Sequence, residues 1–215
     1  TAKVLVGNIG APNRMKYGVL GDGVNTASRL EETNKRYGTR LLISDATYKQ
    51  ITGNSGSSLQ RHLFKTRPLD RVVFKGKTRT TTLYEVCGFN EEDCSPTPGD
   101  SLVFDDRISL QDPSAFAAGR SVQELKDLVL RLHYRAWKQY LRRNFQEAAQ
   151  LFQTVDDFQT RIGPRTVLSG RPDDFGDVFS GDRAAQLLAE RCRWFVGSPP
   201  PAGWNGAEVL HDKHF

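Results

Sequence analysis

Hydrophobic and polar positions change rhythm three times along the chain. Up to residue 89, short apolar runs alternate with one longer helical stretch. Lys3-Val4-Leu5-Val6 reads as a strand, Gly7-Asn8-Ile9-Gly10 breaks it, and residues 11–14 form a loop around Pro12. Tyr17 to Leu20 reads as the end of a second strand, followed by a tight turn at Gly21-Asp22-Gly23. From Val24 the pattern is helical through Ala27, Leu30 and Glu31, with Asp22 as the expected N-cap. This helix should end at Gly38, with Lys35 and Arg36 in its last turn. Leu41-Leu42-Ile43 is a short buried strand, and Ser44 or Asp45 caps a short helix through Ile51. Residues 53–69 read as a loop without a usable motif. Arg71 to Phe74 and Thr82 to Val86 read as strands of a hairpin around Lys75-Gly76-Lys77. Alternating strands and helices followed by a hairpin predict an α/β or α+β unit with a mixed sheet.

The second rhythm, residues 90–118, carries Pro96, Pro98, Gly99 and Pro113 and reads as a linker, with Leu102-Val103-Phe104 as a segment that could dock on a neighbour. The third begins at Ser121, where Ser121-x-x-Glu124 matches a capping box. Leu125, Leu128, Val129, Leu132, Ala136 and Tyr140 follow as an apolar stripe at helical spacing. A second helix carries Phe145, Ala148, Ala149 and Phe152. Residues 157–180 hold four aspartates and read as an inserted loop. Asp182 should cap a third helix, Arg183 to Phe195, with Leu187, Leu188 and Arg191 in register. The expected organisation is therefore a first unit at 1–89, a linker at 90–118 and a helical tail at 119–215.

Charge follows the same divisions. Residues 1–87 carry 15 Lys and Arg against 6 Asp and Glu, residues 88–118 carry 1 against 7, and residues 119–215 carry 14 against 12. A first unit at +9 suits a polyphosphate or a nucleic acid. Nucleic-acid binding calls for aromatics interleaved with the basic residues, and residues 1–50 hold only Tyr17, Tyr37 and Tyr48. Nucleic acid is therefore set aside. A hydrophobic content of 38% permits a core, and no apolar run approaches the ~18 residues of a membrane span. Cys87, Cys94 and Cys192 have no paired spacing and read as free thiols in a reducing, cytoplasmic compartment. His62, His133, His211 and His214 form no ligand spacing with them.

Candidate chemistry concentrates on the first helix. Asn25 and Arg29 are four apart and share one face near its N-terminus. An amide beside a guanidinium fork suits a ribose and a phosphate. Gly21-Asp22-Gly23 superficially resembles a dinucleotide-binding turn, but Thr26 stands where the third glycine is needed.

Four motifs in order then carry a family resemblance. Val-Gly-Asn-Ile-Gly at 6–10, Gly-Asp-Gly-Val-Asn-Thr-Ala-Ser-Arg-Leu-Glu at 21–31, Tyr-Gly-Thr-Arg-Leu-Leu-Ile-Ser at 37–44 and Phe-Lys-Gly-Lys at 74–77 resemble the C-terminal half of a class III nucleotidyl cyclase catalytic domain. The resemblance implies part of a ferredoxin-like α+β fold that works as a head-to-tail homodimer. It implies attack of a nucleoside triphosphate's 3′-hydroxyl on its own α-phosphate, releasing pyrophosphate, as in a phosphorus–oxygen lyase of intracellular signalling. It places Asn25 on the ribose, Arg29 on the α-phosphate as the charge-stabilising catalytic residue, and Lys75 on the terminal phosphates. Lys77 is a weaker match for a phosphate contact. Such chemistry rests mainly on positioning and electrostatics.

The resemblance also defines what to look for elsewhere. Two magnesium or manganese ions are held in the family by two aspartates of the N-terminal half, expected upstream of this chain. Asp22 belongs to the later Gly-Asp motif and is read as a cap. A strand at the first residues likewise raises the expectation of an upstream portion, without which the chain alone should be inactive. Gly18 falls at a purine-selecting, substrate-binding position where an Asp or Thr goes with adenine and a Cys with guanine; glycine supplies neither. The surrounding motifs are more similar to the adenylate type, so ATP is expected ahead of GTP. The alternatives are a guanylate cyclase and a non-catalytic cyclase-like partner. In the tail, Ala136, Tyr140, Phe145, Glu147, Ala148 and Phe152 are similar to one tetratricopeptide repeat. The ending from Pro199 through Trp204 to Gly206 resembles the Pro-Pro-x-x-Trp-x-Gly close of many microbial class III cyclases. Trp194 and Trp204 are read as packing anchors.

Overall fold

The computed structural model describes residues 1–52, 64–89, 122–162 and 181–210. The linker 90–118, Ser121, Cys94 and most of the 157–180 segment lie outside these residues.

The chain opens with a two-stranded antiparallel hairpin, β1 (Leu5–Ala11) and β2 (Arg14–Leu20), in register from Leu5 opposite Leu20 to Ala11 opposite Arg14. Gly7 to Gly10 continue the first strand where the glycines had suggested a break. The hairpin's apolar side chains are on its surface: Leu5, Val6, Met15, Tyr17 and Leu20 are all more than half exposed.

Helix α1 (Asp22–Tyr37) follows. The expected Asp22 cap is corrected here. The N-cap is Gly21, which has no side chain to offer, and Asp22 is the first helical residue, its carboxylate turned to Lys77 instead. An acidic residue in the first turn still complements the helix dipole. The other end is as expected: Gly38 adopts the left-handed conformation at φ 64° and closes the helix. β3 (Leu42–Ser44) leads into α2 (Asp45–Ile51), and the Ser44 hydroxyl accepts from the Thr47 amide.

β4 (Phe64–Phe74) and β5 (Thr81–Phe89) form a long antiparallel pair. β4 therefore begins well inside the stretch that read as loop. Arg67 to Asp70 are all buried, and the register slips between Pro68 and Asp70. A bulge of this kind re-aims neighbouring side chains. It lets Arg67 and Asp70 serve two separate buried contacts.

The tail begins with α3 (Val122–Leu141) and α4 (Phe145–Ile162), which pack on each other. α4 runs through residues 157–162, so the inserted segment starts later than the composition indicated. α5 (Arg183–Gly197) is capped by Asp182, which accepts from the Ala185 amide at 3.0 Å. The chain then forms β6 (Ala207–Leu210), a strand the sequence reading did not anticipate, parallel to β4. The sheet order is β3-β5-β4-β6, a mixed sheet, and the arrangement is α+β.

Two hydrophobic cores result. One is helical, with Leu132, Ala136, Tyr140, Phe152, Leu188 and Cys192 at its centre. The other lies between α1 and the sheet and includes Tyr37, Leu69, Val72 and Leu83. Ala184 of α5 and Leu210 of β6 belong to this second core, so the tail completes the packing of the first unit. Trp204 anchors the chain end, edge-on to Tyr140 at 5.1 Å and near Phe145 and Phe195. Arg143, itself at φ 67°, donates to the carbonyls of Pro200 and Pro201 and fixes the proline run. Trp194 departs from expectation: it is 65% exposed.

Candidate functional site

The site is built where the first half of α1 meets the β4–β5 turn. Helical spacing sets Asn25 and Arg29 on one face, one turn apart. Gly76, at φ 74°, allows the tight turn, and the Lys77 amide closes it on the Phe74 carbonyl at 2.9 Å. That turn presents the Lys75 carbonyl to Arg29, whose Nη1 donates to it. The Arg29 guanidinium also lies 6.0 Å from the centre of the Phe74 ring. Two residues on, the Lys77 ammonium pairs with Asp22 at the start of α1. The helix and the turn are thus tied at two points, and the turn carries both Lys75 and Lys77.

The sequence-predicted residues separate into two groups. Arg29 and Lys75 are brought together. Asn25 shares the helix face but is exposed, and Gly18 lies on the β1–β2 hairpin, half-buried beside Ile9, apart from the Arg29–Lys75 contact. With the guanidinium held at one N–H, its remaining donors stay in a fixed plane. A planar cation of this kind, beside lysines on a turn, is chemically suited to phosphate oxygens.

The second half of α1 is buried in polar contacts that sequence reasoning missed. Tyr37 donates its hydroxyl to Asp70 Oδ2 at 2.5 Å. Arg191 of α5 donates to both Asp70 oxygens, at 2.9 and 2.8 Å, and to the Tyr140 hydroxyl at 3.2 Å. The Arg71 amide adds a third donor to Asp70 at 2.8 Å. Arg191 also pairs with Glu208 of β6, and Glu208 pairs with Arg36 of α1 at 2.5 Å. Burial pushes the Tyr37 hydroxyl well above its ordinary range, reinforced by the Asp70 charge.

A further buried cluster joins β4 and β5 to the tail. Arg67 donates to Glu85 at 2.7 Å and to Asp182, the cap of α5. His133 of α3 completes it. Its Nε2 lies 2.8 Å from the Pro68 carbonyl and its Nδ1 3.4 Å from Arg67 Nη1. A carbonyl only accepts and a guanidinium only donates, so the ring is neutral with its proton on Nε2. Burial, then the Arg67 charge, lowers His133 to about 3. Burial raises the Glu85 carboxyl, partly offset by Arg67. Asp182 is buried as deeply, but Arg67 overcomes that penalty and holds it below its ordinary value. Burial also raises the Cys192 thiol to about 12, which keeps it protonated. The only sequence signal for these clusters was charged residues in otherwise apolar helix and strand patterns.

The chain is similar to proteins named as adenylate cyclases. It is 40% identical over 88 residues to Adenylate cyclase 1 of Rhizobium meliloti, a stretch that is 41% of this chain and 12% of that protein. It is 40% identical over 93 residues to the terminal-differentiation-specific adenylate cyclase of Dictyostelium discoideum, covering 43% of this chain and 4% of that protein. An adenylate cyclase of Anabaena cylindrica is 34% identical over 84 residues, covering 39% and 15%. The chain thus spans a small fraction of the length of these curated relatives. No family model matches the chain, and no solved structure matches it. The matches are partial and mutually consistent, and they identify a region of this chain as related to adenylate cyclases.

Proposed function

We propose that this chain carries the substrate-positioning half of a nucleotide cyclase that converts ATP to cyclic AMP and pyrophosphate. The observation that carries this reading is the hydrogen bond from Arg29 to the Lys75 carbonyl, which joins a guanidinium on α1 to a turn that carries two lysines. In this role Asn25 hydrogen-bonds the ribose and orients the 3′-hydroxyl. Arg29 neutralises the negative charge that builds on the α-phosphate oxygens as the attacking oxygen approaches. Lys75 binds the terminal phosphates, which leave as pyrophosphate. Fixed donors aimed at developing charge need no reorganisation during the reaction.

Magnesium or manganese is the expected cofactor, but the described residues do not fit a metal site. No group of three or more His, Cys, Asp or Glu among them is arranged to hold an ion, and Asp22 is engaged by Lys77. The ligands belong, on this proposal, to an upstream half, and no step is assigned to the metal here.

The β1–β2 hairpin supports a partner surface. A two-stranded sheet with apolar side chains exposed is not stable by itself, and burial of Leu5, Met15, Tyr17 and Leu20 against a second copy, head to tail, would cover it. No helix among the described residues is long and apolar enough to cross a membrane. Gly18 offers no side chain to the purine, so GTP remains the second substrate to test.

The test is an assay of the longer protein, with the upstream half present, on ATP and GTP with Mn²⁺ or Mg²⁺. Cyclic AMP is the expected product. Cyclic GMP alone would reassign the substrate, and no cyclic nucleotide from either would leave a non-catalytic partner that lends Arg29 and Lys75. Arg29→Ala should lower turnover by about 10²-fold with the fold intact.

A further inference from the structure

We infer that Arg191, acting through Asp70 and Glu208, is a positioning residue for α1, so that the last helix of the tail sets how Asn25 and Arg29 are presented. The inference rests on the proposed role of those two residues, and its first readout is independent of it.

The observations converge on one helix. α1 is 16 residues long, or about 24 Å. Its first half meets the β4–β5 turn through Arg29 and Asp22. Its last turn is held by two contacts that both lead to Arg191. Tyr37, 1% exposed, donates to Asp70, which Arg191 grips through both carboxylate oxygens. Arg36 pairs with Glu208, which Arg191 also pairs with. α5 itself packs against α1, and Leu187 of α5 and Leu30 of α1 flank the same core.

The hydrogen-bond arithmetic makes this clamp specific. Asp70 is fully buried and takes three donor groups: the Tyr37 hydroxyl, the Arg71 amide and Arg191 Nη1, which lies within hydrogen-bond distance of both carboxylate oxygens. These donors cover both carboxylate oxygens, so a shift of α1 relative to α5 would leave a buried acceptor short of a partner. Apolar packing would tolerate sliding; a buried carboxylate shared between Tyr37 of α1 and Arg191 of α5 resists it. The lever is also long enough to matter. Arg29 lies eight residues from Tyr37, about 12 Å along the axis. A tilt of about 10° at the clamp would carry Arg29 by about 2 Å, and misplacements of about 1 Å can cost about 10²-fold in a positioned reaction.

The test compares wild type, Arg191→Met, Arg191→Lys, Tyr37→Phe and Arg29→Ala in this chain, by amide hydrogen exchange and by ATP affinity. Arg191→Met should speed exchange across residues 25–30 by about tenfold while α3 and α4 stay protected. ATP affinity should fall several-fold, as it should for Arg29→Ala. Arg191→Lys should restore part of both, because an ammonium can hold Asp70 or Glu208 but not both in the fork geometry. Tyr37→Phe removes one donor with little change in volume, and should give the same pattern at smaller amplitude should Arg191→Met not fold. Exchange in α1 unchanged by both Arg191→Met and Tyr37→Phe would overturn the inference. So would a uniform rise across α1, α3 and α4, which is the result of a merely structural loss. An Arg29→Ala protein that binds ATP normally would reject the functional reading, while the exchange pattern would still decide the coupling.

Discussion

Arg67 and Arg29 carry the same charge on the same folded unit, in opposite surroundings. Arg67 is buried between Glu85 and Asp182, whose side chains are 1% and 3% exposed. Arg29 is half-exposed, donates to one backbone carbonyl, rests on Phe74 and has no carboxylate partner among the described residues. The difference separates two uses of a guanidinium. With its donors spent on buried carboxylates, it fixes how a sheet and a helical tail meet. With donors to spare near solvent, it is held in place yet still able to bind an anion. Removing the first should damage the fold, and removing the second should damage recognition.

The largest expected effect follows from the first half of that contrast. Arg67→Met leaves Glu85 and Asp182 buried without a counter-charge and should cost about 3–5 kcal/mol. Urea denaturation measures it. Adding Glu85→Leu to Arg67→Met should recover part of the loss, since one of the stranded charges is then gone. No recovery would mean that the penalty arises from packing and not from charge.

The next effect is the pH dependence of the same cluster. His133 is held neutral in the folded protein, down to about 3, whereas an unfolded histidine takes a proton near 6.5. Between those values the unfolded chain binds more protons. Stability therefore falls as pH falls through that window, by about 2 kcal/mol between pH 7 and 5. Asp182 adds in the same direction at lower pH, because its folded value is depressed and its contribution is lost as it protonates. Glu85 works the other way, because its folded value is raised. His133→Gln should flatten the profile between pH 7 and 5. A profile that keeps its full slope in this variant would place the acid sensitivity elsewhere.

The comparison also explains what could be read in the sequence. The exposed arginine was legible because it sits in a contiguous motif, a strand, a glycine turn and a helix within residues 17–29, and its partner turn at 74–77, 46 residues away, is a contiguous motif as well. The Gly38 and Asp182 caps were legible for the same reason. The buried arginine was not. Arg67-Pro68-Leu69-Asp70 looks like loop chemistry, and becomes strand only because Asp182, His133 and Arg191, from 65 to 121 residues away, neutralise and saturate it. β6 was missed because Ala207–Leu210 is too short to declare itself and gains its bonds from β4. The Asp22 cap failed through local competition: Lys77 draws the carboxylate away from the helix amides, and Gly21 takes the cap position.

The smallest expected effect comes from the charges around Arg29. Asp22 is 76% exposed at its side chain, and its pair with Lys77 is screened by water on most sides. Such pairs contribute about 0–1 kcal/mol. Asp22→Asn should therefore leave the urea midpoint nearly unchanged, and whatever difference it makes should vanish in 1 M salt, where the screening length is about 3 Å. The Arg67→Met loss should persist at the same salt, because its charges are out of reach of ions. Asp22→Asn also frees the Lys77 ammonium from its carboxylate, so on the proposed function ATP should bind at least as tightly as to wild type. A stability loss above about 2 kcal/mol for Asp22→Asn would mean that the helix–turn contact is structural in the same sense as the buried cluster. The distinction between the two arginines would then rest on exposure alone.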